Sequence, residues 1–202
     1  MTASAFEILA ALPTATVFEA AGRIGDMSPD IRPMWPGIRL AGRAFTVKTW
    51  LGDNEGVLRA LASAPEGAVL VIDNGGTPRS TAWGGTSSTV SRHRGLAGCV
   101  TNGAIRDIET VRSIGVPVFG AGISLRGAAK ADPGRTGIPV SVGGVSVSPG
   151  DFILGDDDGV LVIAADRVEA AAKAAVAQKE KEDLRDRRIM AGEDLLSIFG
   201  LK

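Results

Sequence analysis

The spacing of apolar residues predicts two short helices at the start of the chain. SAFEILAAL and TATVFEAAGRIG each place their larger apolar side chains on one side of a helix, at helical intervals. Pro13 separates the two segments, because a proline interrupts a helix beyond its first turn. Thr14 or Thr16 is expected to cap the second helix.

The pattern changes after Ile38, where strands begin to alternate with helices. LAGRAFTVKTW alternates apolar and polar positions and predicts a strand that ends at the turn LGDNEG. GVLRALASA then predicts a helix that leads into the apolar strand AVLVID, and this order favours parallel pairing of the two strands. GLAGCVTNGAI and VPVFGAG repeat the strand pattern around the short helix IETVRSIG.

From Ile138 onward the chain predicts antiparallel hairpins, because short alternating strands are separated by glycine and proline turns in IPVSVGGVSVSPGDFILGDDDGVLVIAA. The longest helix follows. It is predicted from Asp166, whose carboxylate can cap it together with Glu169, to Gly192. Its first half is expected to bury an apolar face that includes Val176.

The second half of this helix, QKEKEDLRDRR, carries too few apolar residues to pack into the core of its own chain. Two interpretations stay open. The segment is either a solvated helix with ion pairs between residues four apart, or an arm that contacts a neighbouring subunit.

Composition limits the classes of partner. The chain has 202 residues, 45% of them hydrophobic, which is enough for one domain over residues 1–202. Its 22 lysines and arginines nearly balance its 23 aspartates and glutamates, so no diffuse positive field favours nucleic acid or an anionic membrane. We therefore expect a partner that is recognised at a local site, and neither nucleic acid nor membrane.

Cysteine and histidine are too scarce for a disulfide framework or a structural zinc site, since Cys99 and His93 are the only residues of their types. The N-terminal stretch lacks the basic residues that precede the apolar run of a secretion signal. No apolar run approaches the roughly 20 residues of a membrane span. These features favour a protein of the reducing cytoplasm.

The sequence gives little support for three common kinds of functional site. A nucleophile paired with histidine is disfavoured, because His93 lies in the basic segment SRHRG. GAGISLRG, residues 120–127, lacks the glycine spacing of a dinucleotide-binding loop. GDDDG, residues 155–159, has consecutive aspartates followed by VLVI, whereas a calcium loop alternates its ligands and ends in glutamate. It favours a tight hairpin turn.

The pair Arg106–Asp107 stands between an apolar run and a helical pattern in TNGAIRDIETVR. Asp107 can cap the helix that begins at Ile108, because its carboxylate can accept backbone N–H bonds at the positive end of that helix. The same ionised carboxylate can bind Mg²⁺, which takes few protein ligands and keeps several waters. Arg106 offers a planar, permanently charged group for a carboxylate or a developing enolate oxygen. Together they predict chemistry on a small 2-oxo acid.

Long stretches of the chain resemble one family. The blocks NGAIRD and PGD…GDDDGV, with TATVFEAAGRIG, GDNEG and AVLVIDNGG, are similar to the family that contains the regulator of ribonuclease activity A and the class II 4-hydroxy-4-methyl-2-oxoglutarate (4-carboxy-4-hydroxy-2-oxoadipate) aldolases. The family also carries the label dimethylmenaquinone methyltransferase, which no nucleoside-binding glycine loop supports here. The resemblance covers nearly the whole chain. It implies an α/β/β/α swivelling-type sandwich with a mixed sheet, N-terminal helices and a long C-terminal helix.

The resemblance also implies a homo-oligomer, either a trimer or a dimer of trimers, with active sites between subunits. Asp107 would bind Mg²⁺ or Mn²⁺, and Arg106 would face the pyruvyl oxygens of the substrate. The backbone N–H groups of Thr86 and Ser87, after WGG, would receive the substrate carboxylate.

The turn with Asp53 and Asn54 would line the same site. Glu182 in the last helix of a neighbouring subunit would support a metal-bound water, with Glu180 as the alternative. In one respect the sequence departs from the family aldolases, which place an acidic residue upstream of the Arg-Asp pair to hold metal-bound waters. Gly85 occupies that position here, so one outer-shell carboxylate is missing.

The expected function is a divalent-metal lyase that forms pyruvate from a 4-hydroxy-2-oxo acid by retro-aldol cleavage, with oxaloacetate decarboxylation as a side activity. The alternative is a non-catalytic oligomeric binding protein, like the ribonuclease E regulators of the family. Gly85 favours the alternative, and the intact Arg106–Asp107 pair opposes it.

Overall fold

The structure, a computed structural model, describes residues 3–201. Met1, Thr2 and Lys202, which belong to the predicted domain 1–202, lie outside the described residues. The helices are α1 (Ala5–Ala11), α2 (Thr14–Ala20), α3 (Glu55–Ser63), α4 (Gly85–His93), α5 (Ile108–Ile114), α6 (Val168–Met190) and α7 (Leu195–Ile198). Within the described range, none of them is long and apolar enough to cross a membrane.

The strands are short and numerous. They are β1 (Arg32–Pro33), β2 (Leu40–Lys48), β3 (Ala68–Asp73), β4 (Thr81–Trp83), β5 (Gly98–Thr101), β6 (Ala104–Ile105), β7 (Val118–Gly120), β8 (Gly122–Ile123), β9 (Arg135–Thr136), β10 (Val140–Val142), β11 (Val145–Val147), β12 (Phe152–Asp156) and β13 (Gly159–Ile163).

One mixed sheet forms the centre of the fold. Its strand order is β1-β7-β5-β3-β2-β12-β13, and β9 also pairs with β2. The neighbours β2, β3, β5 and β7 are parallel, as the alternation of strands and helices predicted. β12 pairs with β2 and β13 in the antiparallel sense. At the other edge β1 pairs with β7 in the antiparallel sense, so the sheet is parallel at its centre and antiparallel at both edges.

Strand β3 shows why the central strands form continuous apolar runs in the sequence. Both faces of the sheet are covered, so every residue of AVLVID is buried. Val69 and Val71 pack on one face in a cluster that includes the hairpin β10–β11. Leu70 and Ile72 pack on the other face, in a cluster that includes α3. Successive side chains of a strand point to opposite faces, which explains this division.

A third apolar cluster joins the two ends of the chain. Leu9 of α1, Val17 of α2 and Ala172 of α6 pack with Phe152 and Leu161 of the β12–β13 hairpin. The helices α3 to α5 and the terminal helices pack on one face of the central sheet, the terminal helices at its β12–β13 end, and the β10–β11 hairpin covers the other face. These elements confirm the predicted α/β/β/α swivelling-type sandwich with a mixed sheet.

The acidic segment GDDDG forms the turn between β12 and β13, as predicted. Asp156 pairs with Gly159 across the hairpin. The carboxylate of Asp156 accepts a hydrogen bond from the N–H of Thr14 at 2.8 Å, and that of Asp157 accepts one from the N–H of Gly37 at 2.8 Å. These carboxylates therefore stabilise the backbone at Thr14 and Gly37, which lie close to the turn in space.

The predicted threonine cap of α2 is wrong. Pro13 occupies the N-cap position, and no side chain caps the helix. Thr14 is the first residue of the helix, and its backbone N–H donates to the carboxylate of Asp156. Thr16 lies further inside, and its hydroxyl donates to Glu182 Oε2 of α6 at 2.7 Å.

The predicted start of the last helix is also wrong. A 3₁₀ turn over Ala165–Arg167 contains Asp166, so its carboxylate is not at the extended N-cap position that capping requires. α6 begins after this turn without a side-chain cap.

Val176 was expected to be buried, but 40% of it is exposed. The buried stripe of α6 follows Ala171, Ala172 and Ala175, so the next residue faces away from the core.

Candidate active site

A second, three-stranded sheet brings the predicted site residues together. Its strands pair in parallel in the order β4-β6-β8. α4 follows the first of them, Arg106–Asp107 follows the second, and the loop 124–131 follows the third. The carboxyl ends of parallel strands lie at one edge of a sheet, so three segments that are distant in sequence meet there.

This small sheet exists because the chain bends between β5 and β6, where the sequence pattern had predicted one strand. Asn102 and Gly103 form the bend. A Cβ atom on residue 103 would lie 2.2 Å from Asn74 Nδ2, so only glycine fits there. The bend takes the chain out of the central sheet and directs Ala104–Ile105 into the small one.

Asp107 has a left-handed backbone conformation, with φ 56° and ψ 40°. Non-glycine residues rarely adopt it, and such residues concentrate at functional sites. Asp107 occupies the N-cap position of α5, but its carboxylate makes no capping hydrogen bond there. Instead Oδ2 accepts the N–H of Gly85 at 3.1 Å. The predicted side-chain cap of α5 is therefore wrong, because the left-handed backbone turns the carboxylate toward α4.

Arg106 lies beside this carboxylate, with Nε 3.4 Å from Asp107 Oδ2. Its backbone N–H donates to the carbonyl of Trp83 at 3.1 Å, which fixes it at the end of the small sheet. A Cβ atom on Gly127 would lie 2.9 Å from Arg106 Nη1, so glycine allows the loop 124–131 to approach the guanidinium group. The side chains of Arg106 and Asp107 remain 46% and 44% exposed.

The first turn of α4 faces the same space. Gly84 occupies its N-cap position in an extended conformation, and Gly85, Thr86 and Ser87 follow. The first N–H groups of a helix have no intrahelical acceptor, and they carry the positive end of the helix dipole. The N–H of Gly85 bonds Asp107, which leaves those of Thr86 and Ser87 for a ligand. Buried Ser88 accepts the indole N–H of Trp83 at 2.8 Å and anchors this turn.

These groups enclose a cavity of about 220 Å³. The cavity contains most of the predicted site residues: Arg106, Asp107, Gly85, Thr86, Ser87 and Asn54. The other lining residues are Leu58, Thr81, Trp83, Gly84, Ala128 and Lys130. Lys130, which the sequence did not indicate, adds a second cation. It lies in the irregular segment GAAKADPGR, and no local motif distinguishes it from other exposed lysines.

Asp53, also a predicted site residue, does not line the cavity but holds the loop that does. It is buried, and its carboxylate accepts the N–H groups of Glu55 at 2.8 Å and Ala131 at 2.7 Å. The adjacent backbone bonds link Ala129 to both Gly52 and Asn54. The GDN turn and the Lys130 loop are therefore tied together.

The pKa of Asp53 reflects this position. Burial acts to raise the pKa, but hydrogen bonds from the backbone of Glu55 and Ala131 and the charge of Lys130 outweigh it. The pKa is consequently lowered, and the carboxylate is ionised at neutral pH. Its hydrogen bonds to the backbone persist at every pH at which the carboxylate is ionised.

Glu182 and Glu180 are not among the residues that line the cavity of their own chain. Glu182 accepts hydrogen bonds from Thr16 Oγ1 at 2.7 Å and Gln178 Nε2 at 2.9 Å, and Glu180 is exposed. Their predicted role concerns the cavity of a neighbouring subunit, and it stays a prediction.

The donor set at Asp107 fits a hydrated Mg²⁺ or Mn²⁺ ion that is held through one carboxylate. The Oδ1 atom accepts no hydrogen bond from the described residues, whereas Oδ2 is engaged by Gly85 and lies beside Arg106. Between residues 3 and 201 no cluster of three or more His, Cys, Asp or Glu could hold a metal. Mg²⁺ commonly binds through one or two carboxylates, with waters and substrate oxygens completing its shell.

Comparisons with known proteins identify the family of the chain. The RraA-like family model, described as Aldolase/RraA, matches residues 14–162. The chain is 33% identical over 178 residues to a protein of Halalkalibacterium halodurans provisionally named 4-hydroxy-4-methyl-2-oxoglutarate aldolase, covering 88% of this chain and 85% of that protein.

Two solved structures share the fold. A crystal structure of an uncharacterized protein from Pseudomonas syringae has a TM-score of 0.86 and 26% identity, covering 98% of this chain and 93% of that chain. The RNA-processing inhibitor RraA from Thermus thermophilis has a TM-score of 0.69 and 30% identity, covering 75% and 92%. Because the family match includes every segment that lines the cavity, the chain belongs to the RraA-like (Aldolase/RraA) family.

Proposed function

We propose that this protein is a divalent-metal-dependent lyase that releases pyruvate from a 4-hydroxy-2-oxo acid by retro-aldol cleavage. The observation that carries the proposal is the cavity in which Arg106 and Asp107 face the free N–H groups of α4. The name of the Halalkalibacterium halodurans relative supports the substrate class. Oxaloacetate decarboxylation is a proposed side activity, because it passes through the same enolate.

The cavity offers a separate partner to each part of such a substrate. The 1-carboxylate accepts the N–H groups of Thr86 and Ser87, at the positive end of α4. The guanidinium of Arg106 donates to the 2-oxo oxygen. Lys130, on the opposite loop, is placed to pair with a second carboxylate at the far end of the substrate.

Cleavage begins with loss of the proton from the C4 hydroxyl group to a water in the cavity. The C3–C4 bond breaks, its electron pair forms the C2–C3 double bond of pyruvate enolate, and the carbonyl product leaves. Arg106 stabilises the negative charge that develops on the C2 oxygen. Protonation at C3 then gives pyruvate. A Mg²⁺ or Mn²⁺ ion at Asp107 supplies additional positive charge to the enolate oxygen when it is bound.

The proposal includes a homo-oligomer, a trimer or a dimer of trimers, in which Glu182 of the partner subunit assists the proton transfer. The exposed apolar side chains at the end of the chain support it. Leu184 is 53% exposed, Met190 87% and Leu196 50% in the isolated chain. A helical arm with such residues is stabilised when another chain covers them.

The test is pyruvate release from oxaloacetate and from a 4-hydroxy-2-oxo diacid, with Mg²⁺, with Mn²⁺ and with EDTA. Pyruvate is measured by coupling to lactate dehydrogenase, and circular dichroism verifies that the protein is folded. We expect turnover with metal and loss of turnover with EDTA. Folded protein that shows no turnover with either metal would refute the proposal.

A second candidate is a non-catalytic oligomeric binding protein. Its support is the similarity to a structure described as an RNA-processing inhibitor, together with Gly85, which leaves a single carboxylate in the cavity. Thermal unfolding with and without Mg²⁺ plus oxalate separates the two candidates. A specific site raises the melting temperature by mass action, whereas a scaffold without a site shows no shift.

A further inference from the structure

The side chains that line the cavity carry more positive than negative charge. Arg106 and Lys130 are cations, and Asp107 is the only carboxylate among the lining residues. The positive end of α4 adds to the cations. Asp53 interacts with Lys130 and offsets this charge only in part, because it is buried, does not line the cavity, and its oxygens already accept backbone N–H groups. The protein therefore presents a net positive site for an anion.

In the absence of a bound anion, the cavity is a poor binding site for a divalent cation. Of the two oxygens of Asp107, Oδ2 already accepts the N–H of Gly85 and lies 3.4 Å from Arg106 Nε. Only Oδ1 is free of such partners. The fixed cations repel a second positive charge, and a single carboxylate oxygen replaces little of the water that Mg²⁺ or Mn²⁺ must lose.

We propose that the site binds its anion first and binds the dication tightly only together with that anion. A small dicarboxylate neutralises Arg106 and Lys130 and supplies oxygens that complete the metal's shell. This inference rests on the proposed function, since it takes a 2-oxo acid or its mimic as the anion. Coupling between two ligands is reciprocal, so each raises the affinity for the other by the same factor.

Oxalate and Mn²⁺ are suitable probes, because oxalate mimics pyruvate enolate and free aqueous Mn²⁺ has a measurable EPR signal. We expect oxalate to bind in the presence of EDTA, as measured by calorimetry. Mn²⁺ affinity is expected to rise about 10- to 100-fold when the protein is saturated with oxalate. Samples without protein correct for the Mn²⁺–oxalate complex in solution.

Two variants test the cause. Lys130→Gln removes one cation, so it is expected to strengthen binding of Mn²⁺ alone. Oxalate mimics only the pyruvyl part of the substrate and lacks the distal carboxylate, so its affinity should change little in this variant. Lys173→Gln makes the same charge change at an exposed position of α6 outside the cavity, and it should alter neither affinity. Gly85→Asp adds a carboxylate beside Asp107. Its Cβ would lie 3.5 Å from Asp107 Oδ2 and 3.2 Å from Thr110 Cγ2, so the side chain fits with a small adjustment.

Gly85→Asp is expected to raise the affinity for Mn²⁺ alone about tenfold and to reduce the coupling. Mn²⁺ affinity that is the same with and without oxalate in the wild-type protein would overturn the inference, and so would failure of oxalate to bind in EDTA. Neither measurement needs turnover. Absence of pyruvate release would refute the proposed function alone, whereas equal Mn²⁺ affinities in a protein that turns over would refute only the binding order.

Discussion

The backbone N–H of Gly85 donates to Asp107 Oδ2 at 3.1 Å, and this bond fixes the carboxylate at the start of α4. The two residues belong to different strand–helix units of the small sheet. A left-handed backbone at Asp107 is what allows the contact. The Arg106–Asp107 pair is thus oriented by a helix that follows a different strand, not by the helix that it precedes.

A methyl group at Gly84 should disturb this arrangement. The Cβ atom of Gly84→Ala would lie 2.9 Å from Asp107 Oδ2 and 3.1 Å from Arg106 Cγ. The backbone of residue 84 is extended, with φ −163°, so alanine causes no backbone strain. We expect a loss of about 10- to 100-fold in kcat, because small displacements of catalytic groups are costly, with little change in Tm.

Gly85→Ala is the matched control. Its Cβ would meet Asp107 Oδ2 at an ordinary 3.5 Å and would touch only the Thr110 methyl group more closely, at 3.2 Å. Alanine within the first turn of a helix also limits the freedom of the unfolded chain. Most of the activity should survive, with an equal or higher Tm. Equal losses in both alanine variants would show that the distance to the carboxylate is not the cause.

Arg106→Gln tests the proposed enolate stabilisation. Removal of a donor that faces developing negative charge typically lowers kcat by about 100- to 1000-fold. The same loss of charge in Arg112→Gln, at an exposed position of α5, should leave turnover and Tm near their wild-type values. Steady-state pyruvate release decides the comparison. An Arg106→Gln protein with normal kcat would remove this residue from the mechanism.

The sequence predicted the large elements because burial leaves a regular pattern in them. AVLVID is apolar throughout since both faces of β3 are covered, and GDDDG reads as a hairpin turn between two alternating strands. Strands β6 and β8 have two residues each, too few for any periodicity to show. The small sheet on which the cavity depends was therefore missed.

Two features of the site depend on contacts between distant segments. The carboxylate of Asp107 was assigned to α5, because its left-handed backbone cannot be read from neighbouring residues. Lys130 was missed because Asp53, far away in sequence, positions its loop through the N–H of Ala131. The predicted residues Arg106, Asp107, Thr86 and Ser87 do meet in one cavity, although their roles there stay predictions.

The lowered pKa of Asp53 predicts a pH-dependent contribution to stability. A depressed pKa in the folded state stabilises the fold above the unfolded value of 3.8, and this contribution is lost as the pH falls through the folded value. Asp53→Asn should lower the free energy of unfolding by about 1–3 kcal/mol at pH 7, because a buried N–H group loses its acceptor.

The difference between the Asp53→Asn variant and the wild type should shrink as the pH falls below the unfolded value of 3.8, and it should disappear below the lowered folded pKa, where the wild-type carboxyl group is also protonated. Urea unfolding at several pH values measures it. Exposed Asp186 of α6 provides the control substitution Asp186→Asn. A penalty for Asp53→Asn that stays constant down to the lowest pH would exclude the charge of Asp53 as its origin.

Lys130→Met should change substrate preference more than overall activity. If Lys130 pairs with the distal carboxylate, kcat/KM for a 4-hydroxy-2-oxo diacid should fall at least about tenfold, as expected for loss of a charge-assisted bond. A 4-hydroxy-2-oxo monoacid lacks that carboxylate and should be affected little. A uniform loss on both substrate classes would place Lys130 in the common pyruvyl part of the reaction instead.

The two candidate glutamates of α6, Glu180 and Glu182, can be distinguished by the bonds that they make. Glu182 accepts a hydrogen bond from Thr16 at 2.7 Å, whereas Glu180 is exposed. If Glu182 of the partner subunit assists catalysis, Glu182→Gln should lower kcat about 10- to 100-fold with the oligomer intact, and Glu180→Gln should not. Light scattering monitors the assembly.

Thr16→Val separates catalysis from packing in the glutamate comparison, because it removes the hydroxyl donor to Glu182 while the carboxylate remains. A residue that works in another subunit's cavity does not need this bond, so Thr16→Val should keep kcat even where Tm falls. If instead Thr16→Val and Glu182→Gln lose stability and activity together, Glu182 serves only to hold α6 against α2. The catalytic carboxylate then has to be sought elsewhere, beginning with Glu180.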